Sequence, residues 1–426
     1  RSWRGGAAAA GDAGAAGDAA AAAAPAGSRR REAGARGGVP SLRSGEGAAA
    51  AEGPAAAGEA LPLLVTREAM TRLHVEEWPA EGPPEDDRRN HVRQGTKRKV
   101  AQELGLSKWG DPASNARKTT SYAKHITLYK DARPSASSGR FGCAGEPNLL
   151  ARFDVLAVPA LADFDAAWNP LHGKPRKPFY VLHAAALNVG ESSDTAADFP
   201  DYCTGSGELD VERYVNDMGQ IFDNILFAAK DLKVKHVTWF PFGMGAFMRH
   251  LERLDPKYAG NPATSSASLS LRRALCQRFA KAVAAAGTPH PAFHIYLCLS
   301  PNGEGTEADA NVDAFIRALQ ELPHGLLTVC LFADSLQVAH ELAGRGDDTV
   351  AVVNGANRTL IGNHWFGGGA RHAIDENLHR RSWLLAAHSY LLNDFGSVRR
   401  TPLAADTLET RVRALGGTVK SMGGAG

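Results

Sequence analysis

The stretch from Val350 to Trp383, VAVVNGANRTLIGNHWFGGGARHAIDENLHRRSW, constrains this chain more than any other. A β-branched apolar run (Val350, Val352, Val353) ends in Asn354-Gly355-Ala356-Asn357. A short loop later come Gly367, Gly368 and Gly369, and then a polar segment carrying the adjacent carboxylates Asp375 and Glu376. This order predicts a strand, an amide-bearing turn, a glycine loop and an acidic helix. The amides supply donors and acceptors at a fixed strand end. Glycines let backbone N–H groups approach phosphate oxygens with no Cβ in the way. The carboxylates bring acid/base chemistry to that cradle. Together they suit a phosphorylated sugar.

The surrounding chain predicts what such a stretch belongs to. Short apolar runs bounded by Gly, Pro, Asn or Asp fall at residues 125–129, 179–185, 236–240, 293–299, 326–332 and 349–354, as buried parallel strands do. Helical periodicity lies between them, at 211–229, 268–285, 308–322 and 335–344. Strands alternating with helices point to an α/β domain with a mixed, mainly parallel sheet flanked by helices. Ligands of such sheets bind beyond the carboxyl ends of the strands. Residues 67–77 and 93–106 are expected as short helices in a helical linker spanning 61–118, and 403–415 as one more before a glycine-rich tail. The α/β domain is placed at 119–400, with 111–178 either a cap or part of the sheet, and 401–426 as a terminal helix and flexible tail.

Composition sets further bounds. Residues 1–60 are rich in Ala, Gly, Arg and Pro and nearly free of large apolar side chains. They cannot bury enough surface to offset chain entropy and are expected to be disordered. The net charge of +2 gives no global case for nucleic acid or an anionic membrane, and no apolar run approaches a membrane span. The five cysteines are widely spaced with no C-x-x-C pair, which suggests reduced thiols in an intracellular, cytoplasmic protein. The Arg- and Ala-rich first segment keeps a transit peptide open.

A second loop accompanies the first. Residues 236–240 run into Pro241-Phe242-Gly243-Met244-Gly245-Ala246-Phe247. Two glycines between a strand and a helix let amides turn toward an anion, although a tight strand-to-helix turn has the same pattern. With no G-x-x-x-x-G-K-[ST] and no G-x-G-x-x-G, neither a P-loop nor a Rossmann dinucleotide site is indicated.

These motifs resemble the macrodomain superfamily, which binds ADP-ribose. VVNGAN is similar to the family's V-N-A-A-N turn. Gly367–Gly369 followed by Ala373-Ile374 is similar to G-G-G-V-x-x-A-I. FYVLHAA is similar to V-I-H-A-V, and HVTWFPFGMGAF to A-F-P-x-I-S-T-G-x-F/Y. The order is rearranged, since the amide turn here follows the second loop. HW and DENLHRRS also resemble the MavL-type arginine ADP-ribosylhydrolases. The resemblance implies a three-layer macrodomain-like fold and a hydrolase that removes ADP-ribose from modified protein. It implies an ADP-ribosylarginine linkage, ubiquitin among the carriers, a monomer, no cofactor and no metal. Asn354 and Asn357 would meet the distal ribose, and Gly367, Gly368 and Gly369 would pass the ribose and pyrophosphate. Gly243, Met244, Gly245 and Ala246 would offer amides to the pyrophosphate, with Phe247 on the distal ribose. Asp334 would hold the adenine, or be a plain helix N-cap. The simple macrodomain aspartate position is Arg371 here. The spacing of Asp375-Glu376 looks more like the poly(ADP-ribose) glycohydrolase branch, which makes these two, with Asn357, the expected catalytic groups.

Cleavage of a ribosyl–arginine bond builds oxocarbenium-like charge, which a carboxylate stabilises while an acid assists departure. Both acids could instead simply favour a helix N-terminus. His372, Glu376 and His379 share one helix side and keep open a metal-dependent hydrolase of a nucleoside diphosphate sugar. His364 and Trp365 are candidates to cover a ligand, with loop packing as the alternative; His183 is expected as a core histidine. A binding module without turnover is the remaining alternative.

Overall fold

The computed structural model describes residues 73–78, 86–104, 122–132, 150–171, 177–190, 198–287, 292–300, 306–320, 322, 325–346, 349–358, 360–363, 365, 373–393 and 407–423. The expectation for residues 1–60 lies outside them. Ala60–Gly426 form one compact unit.

Nine described strands make a single sheet: β1 (His74–Glu77), β2 (Thr127–Asp131), β3 (Val155–Ala160), β4 (Phe179–Ala184), β5 (His236–Trp239), β6 (His294–Leu299), β7 (Leu327–Leu331), β8 (Val350–Gly355) and β9 (Thr418–Met422). Their order is β1-β7-β6-β5-β8-β4-β3-β2-β9. β3 pairs antiparallel with β4 and β2, and every other pairing is parallel. The expected mixed, mainly parallel α/β sheet is therefore present.

Eight described α-helices flank it: α1 (Asp86–Leu104), α2 (Val211–Asp231), α3 (Ser266–Ala286), α4 (Glu307–Leu319), α5 (Ser335–Arg345), α6 (Ile374–Arg381), α7 (Trp383–Leu392) and α8 (Leu408–Ala414). Side chains alternate across a strand, so each strand feeds two cores. Leu182, Ala184, Val237, Ile295, Val329 and Val353 pack with α2, α3 and α4 on one face. Val181, Cys298, Cys330, Val350 and Val352 pack with α5 to α8 on the other. Short polar side chains cap several of the helices. Asp210, Thr306, Asp334 and Ser382 accept from the backbone N–H of Arg213, Asp309, Gln337 and Leu385.

Three elements depart from expectation. Residues 74–77 form edge strand β1, where a helix over 67–77 is predicted. Parallel pairing with β7 satisfies their backbone groups, and tertiary pairing overrides a local helical pattern. β3, VLAVPA, is buried throughout and contains Pro159, which masks it as a strand signal. The tail after α8 supplies edge strand β9 against β2. Thus β2 and β3 extend the sheet, and both flanks of the chain enter it.

The chain steps from β4 to β5, out to β6 and β7, and then returns to insert β8 between β5 and β4. Such a reversal opens a crevice at the carboxyl ends of the strands. The amide turn, the glycine loop after β5 and the start of α6 all belong to that end of the sheet.

Candidate functional site

Register places the first pair of side chains. His183 of β4 lies opposite Asn354 of β8. Both continue the row of Val181 and Val352, which faces α5 to α8. α6 comes down on that row and seats Leu378 in the same core. One turn apart, Asp375 and His379 then project onto His183 and Asn354.

The contacts form one buried network. Asn354 Nδ2 donates to Asp375 Oδ1 at 2.7 Å and to His183 Nδ1 at 2.9 Å. The backbone N–H of Asn357 reaches Asp375 Oδ2 at 3.4 Å. His379 Nδ1 lies 2.7 Å from the Asp375 carbonyl oxygen and 3.3 Å from its Oδ1. Asn363 Nδ2 donates to Glu376 Oε1 at 2.6 Å, and Asn357 Nδ2 donates to Asn363 Oδ1 at 3.3 Å. The amide turn thus holds both carboxylates, Asp375 directly and Glu376 through Asn363. Asp375 is 3% exposed, and His183, Asn354, Glu376 and His379 are 0% exposed.

The two acids are driven apart. Burial, with the neighbouring Asp375 charge second, pushes the Glu376 carboxyl up to about 7. Burial also acts to raise Asp375, but the hydrogen bond and charge of His379, followed by His183 and the Asn354 amide, outweigh it and hold Asp375 below the usual carboxylate range. Burial, aided by the nearby His379, pushes His183 down to about 3, so its imidazole is neutral at physiological pH. Adjacent carboxyls with opposite proton preferences are the arrangement acid/base chemistry needs.

His183, Asp375 and His379 bring ligand-type atoms within 4.8 Å of one another. Their spacing invites a divalent ion, and it is a different set from His372, Glu376 and His379. However, Nδ1 of both rings and Oδ1 of Asp375 are already engaged with Asn354, with the Asp375 carbonyl and with one another. This is the pattern of a hydrogen-bonded carboxylate clamp. Among the described residues, Nε2 of both histidines, Oδ1 of Asn354 and Oε2 of Glu376 have no hydrogen-bond partner.

The loop after β5 meets the amide turn from the other side. A Cβ on Gly355 would lie 3.2 Å from the Phe240 ring, and Phe242 is 3.9 Å away. Gly243 has φ +77, and a Cβ there would meet Met218 at 2.7 Å and Ala186 at 3.1 Å, so only glycine makes this bend. Buried Arg272 donates to the Met244 carbonyl at 2.9 Å and to Glu307 Oε1 at 2.8 Å. Asn311 also contacts Arg272, and its Nδ2 lies 3.4 Å from the Met244 carbonyl. Met244 is therefore packed inward. Gly245 has open space where a Cβ would be, and Ala246 is exposed. Phe247 is half-buried, and its carbonyl accepts from Val189 N at 3.0 Å and Gly190 N at 2.7 Å.

A cleft of about 990 Å³ opens beyond the carboxyl ends of β1, β7, β6 and β5. Ile374, Asn377, Leu378 and Arg381, one stripe of α6, form a wall of it, while the neighbouring face of α6 carries Asp375 and His379. Asp334 lies in this cleft, exposed. It caps α5 through Gln337 N at 2.8 Å and binds Arg381 Nη1 at 2.8 Å, so it is both an N-cap and a cleft carboxylate. Exposed Phe332 (φ +59) and buried Trp168 (φ +63) also line it in left-handed backbone, a conformation costly for aromatic residues.

Gly367, Gly368, Gly369, His364, Arg371 and His372 lie outside the described residues. Trp365 is fully buried and donates Nε1 to Ser389 Oγ at 3.2 Å, so it packs the loop and does not cover a ligand. His183, Asn363 and Arg272 are the site residues that sequence reasoning does not pick out. Only the register of β4 against β8 could have flagged His183. No protein-family model matches the chain, and no curated protein matches it.

Proposed function

We propose that this chain is an ADP-ribosylhydrolase, a glycosidase of the macrodomain type that releases ADP-ribose from modified protein, with arginine as the linkage and ubiquitin among the carriers. One observation carries this reading. An amide turn at a strand end holds two adjacent carboxyls, one ionised and one kept protonated to about pH 7. Glu376 is the general acid. Its proton passes to the guanidine nitrogen as the C1″–N bond breaks and that nitrogen takes the bonding pair. Asp375 stays ionised, faces the growing positive charge on the ribose and orients the water that attacks C1″; as the C1″–O bond forms, the water's proton passes to the Glu376 carboxylate and restores the acid. Asn357 fixes the distal ribose beside Asp375. The nearby cleft, with Asp334 as acceptor, takes the nucleoside end, and Gly245 and Ala246 face the diphosphate with backbone amides.

The closure of both carboxyls from solvent favours a second reading, an ADP-ribose-binding module without turnover. Asp375→Ala separates the two. Under the hydrolase reading it abolishes release while ADP-ribose still binds. A wild-type chain that binds ADP-ribose but releases nothing from arginine, serine, glutamate or polymer linkages establishes the module. Turnover lost on chelation and restored by a divalent ion would assign the chemistry to a metal instead.

A further inference from the structure

The Asp375 clamp contains a side chain whose role no motif announces. His379 follows Asp375 by one helical turn. A carbonyl oxygen only accepts, so its 2.7 Å contact with the Asp375 carbonyl requires the ring proton to sit on Nδ1. The same nitrogen lies 3.3 Å from Asp375 Oδ1. One donor thus spans the backbone and the carboxylate of a single residue.

The ring itself is gripped. Gly362 has φ +81, and a Cβ there would fall 2.7 Å from Cδ2, 2.8 Å from Nε2 and 2.9 Å from Cγ of His379. On another side stands the His183 ring, with centroids 5.5 Å apart. The ring is 0% exposed. Gly362 belongs to the same loop as Asn363, which holds Glu376. Core packing alone would suit an apolar ring better than a buried imidazole whose Nε2 is desolvated and unpartnered among the described residues.

We infer that His379 is a positioning residue: locked between Gly362 and His183, it fixes the rotamer of the Asp375 carboxylate through its Nδ1–H and so sets the rate of bond cleavage without touching substrate. This rests on the hydrolase reading above. Asn354 holds Oδ1 from the strand side, the Asn357 N–H holds Oδ2, and His379 closes the clamp from the helix side. A loosened carboxylate binds substrate normally but reacts from the wrong place; misplacement of about 1 Å costs on the order of 100-fold.

Two substitutions separate this role from plain packing. His379→Asn gives up part of the ring's volume but places an amide N–H where Nδ1–H stood. His379→Phe keeps a ring and has no donor. The full chain is assayed for ADP-ribose release, for ADP-ribose affinity and for thermal midpoint. Positioning predicts that His379→Phe loses at least about tenfold in kcat, with KM and ADP-ribose Kd within about threefold, while His379→Asn keeps kcat within about threefold. The reverse ranking, with the Phe variant active and the Asn variant inactive, overturns the inference, as does equal loss in both with a lowered thermal midpoint. If the wild-type chain releases nothing, the hydrolase reading has failed on its own. The Asp375 carboxyl ¹³C resonance then still tests the clamp: it should move in His379→Phe and stay in His379→Asn, and the opposite pattern refutes the contact.

Discussion

Asp375 and Glu376 are neighbours in the chain, yet pH should act on them in opposite directions. The Glu376 carboxyl is raised to about 7 from an ordinary value of 4.5, so between those values the folded state holds a proton that the unfolded state has lost. Stability from this group is therefore full below about 4.5 and falls as pH rises to about 7, by roughly 3 kcal/mol in all. Asp375 is depressed, so its stabilisation is present above 3.8 and is lost as pH falls through its folded value. Glu376→Gln should then raise the thermal midpoint at pH 8 while lowering kcat by at least about 100-fold; an unchanged midpoint would mean that Glu376 is not buried as a charge. In wild type, kcat should decline above about pH 7 as the acid loses its proton. Gly362→Ala combines left-handed backbone with a clash on the His379 ring and should cost about 2 kcal/mol or more in a denaturant titration. At this scale the sequence announces the acids and Asn354, because an amide turn and adjacent carboxylates are local patterns. It hides His183, which reaches Asp375 only through strand pairing across 171 positions to Asn354.

The loop after β5 is the element whose shape is set from behind. Arg272 of α3 ties the Met244 carbonyl to Glu307 and Asn311, which leaves Gly245 and Ala246 on the open side. Arg272→Met should destabilise the fold by about 3 kcal/mol and weaken ADP-ribose binding by isothermal titration. Destabilisation with unchanged affinity would detach this loop from the ligand. The start of α5 offers a cleaner separation. Asp334→Asn keeps a capping oxygen but removes the charge facing the cleft. Weaker ADP-ribose binding is expected, with the thermal midpoint lowered only by the weakened pair to Arg381, whereas unchanged binding leaves Asp334 to its cap and its ion pair. Legibility of the elements follows burial. β5 to β8 are short apolar runs buried on both faces, and the helices between them are amphipathic, so both periods are written in the residues. β3 carries a proline. β1 and β9 are edge strands with polar, half-exposed side chains, and their strand character comes from the partner they pair with.

Across the whole molecule, the return of the chain to insert β8 between β5 and β4 gathers the separate sequence motifs. The amide turn contacts Asp375, Gly355 touches the β5 loop through Phe240, and α6 shares one face with the clamp and another with the cleft. A sheet brings strand ends together whatever their order along the chain. No helix among the described residues is long and apolar enough to cross a membrane. Turnover in excess chelator should match turnover without it, since the clamp is built from hydrogen bonds; a large fall would point to an ion at His183, Asp375 and His379. The most direct test of the central claim is release of free ADP-ribose from a panel of defined linkages, with arginine-modified ubiquitin included, by the wild-type chain beside Asp375→Ala. Release from the arginine linkage by wild type and none by the variant is the expected result; equal release by both, or none by wild type from any linkage, would contradict it.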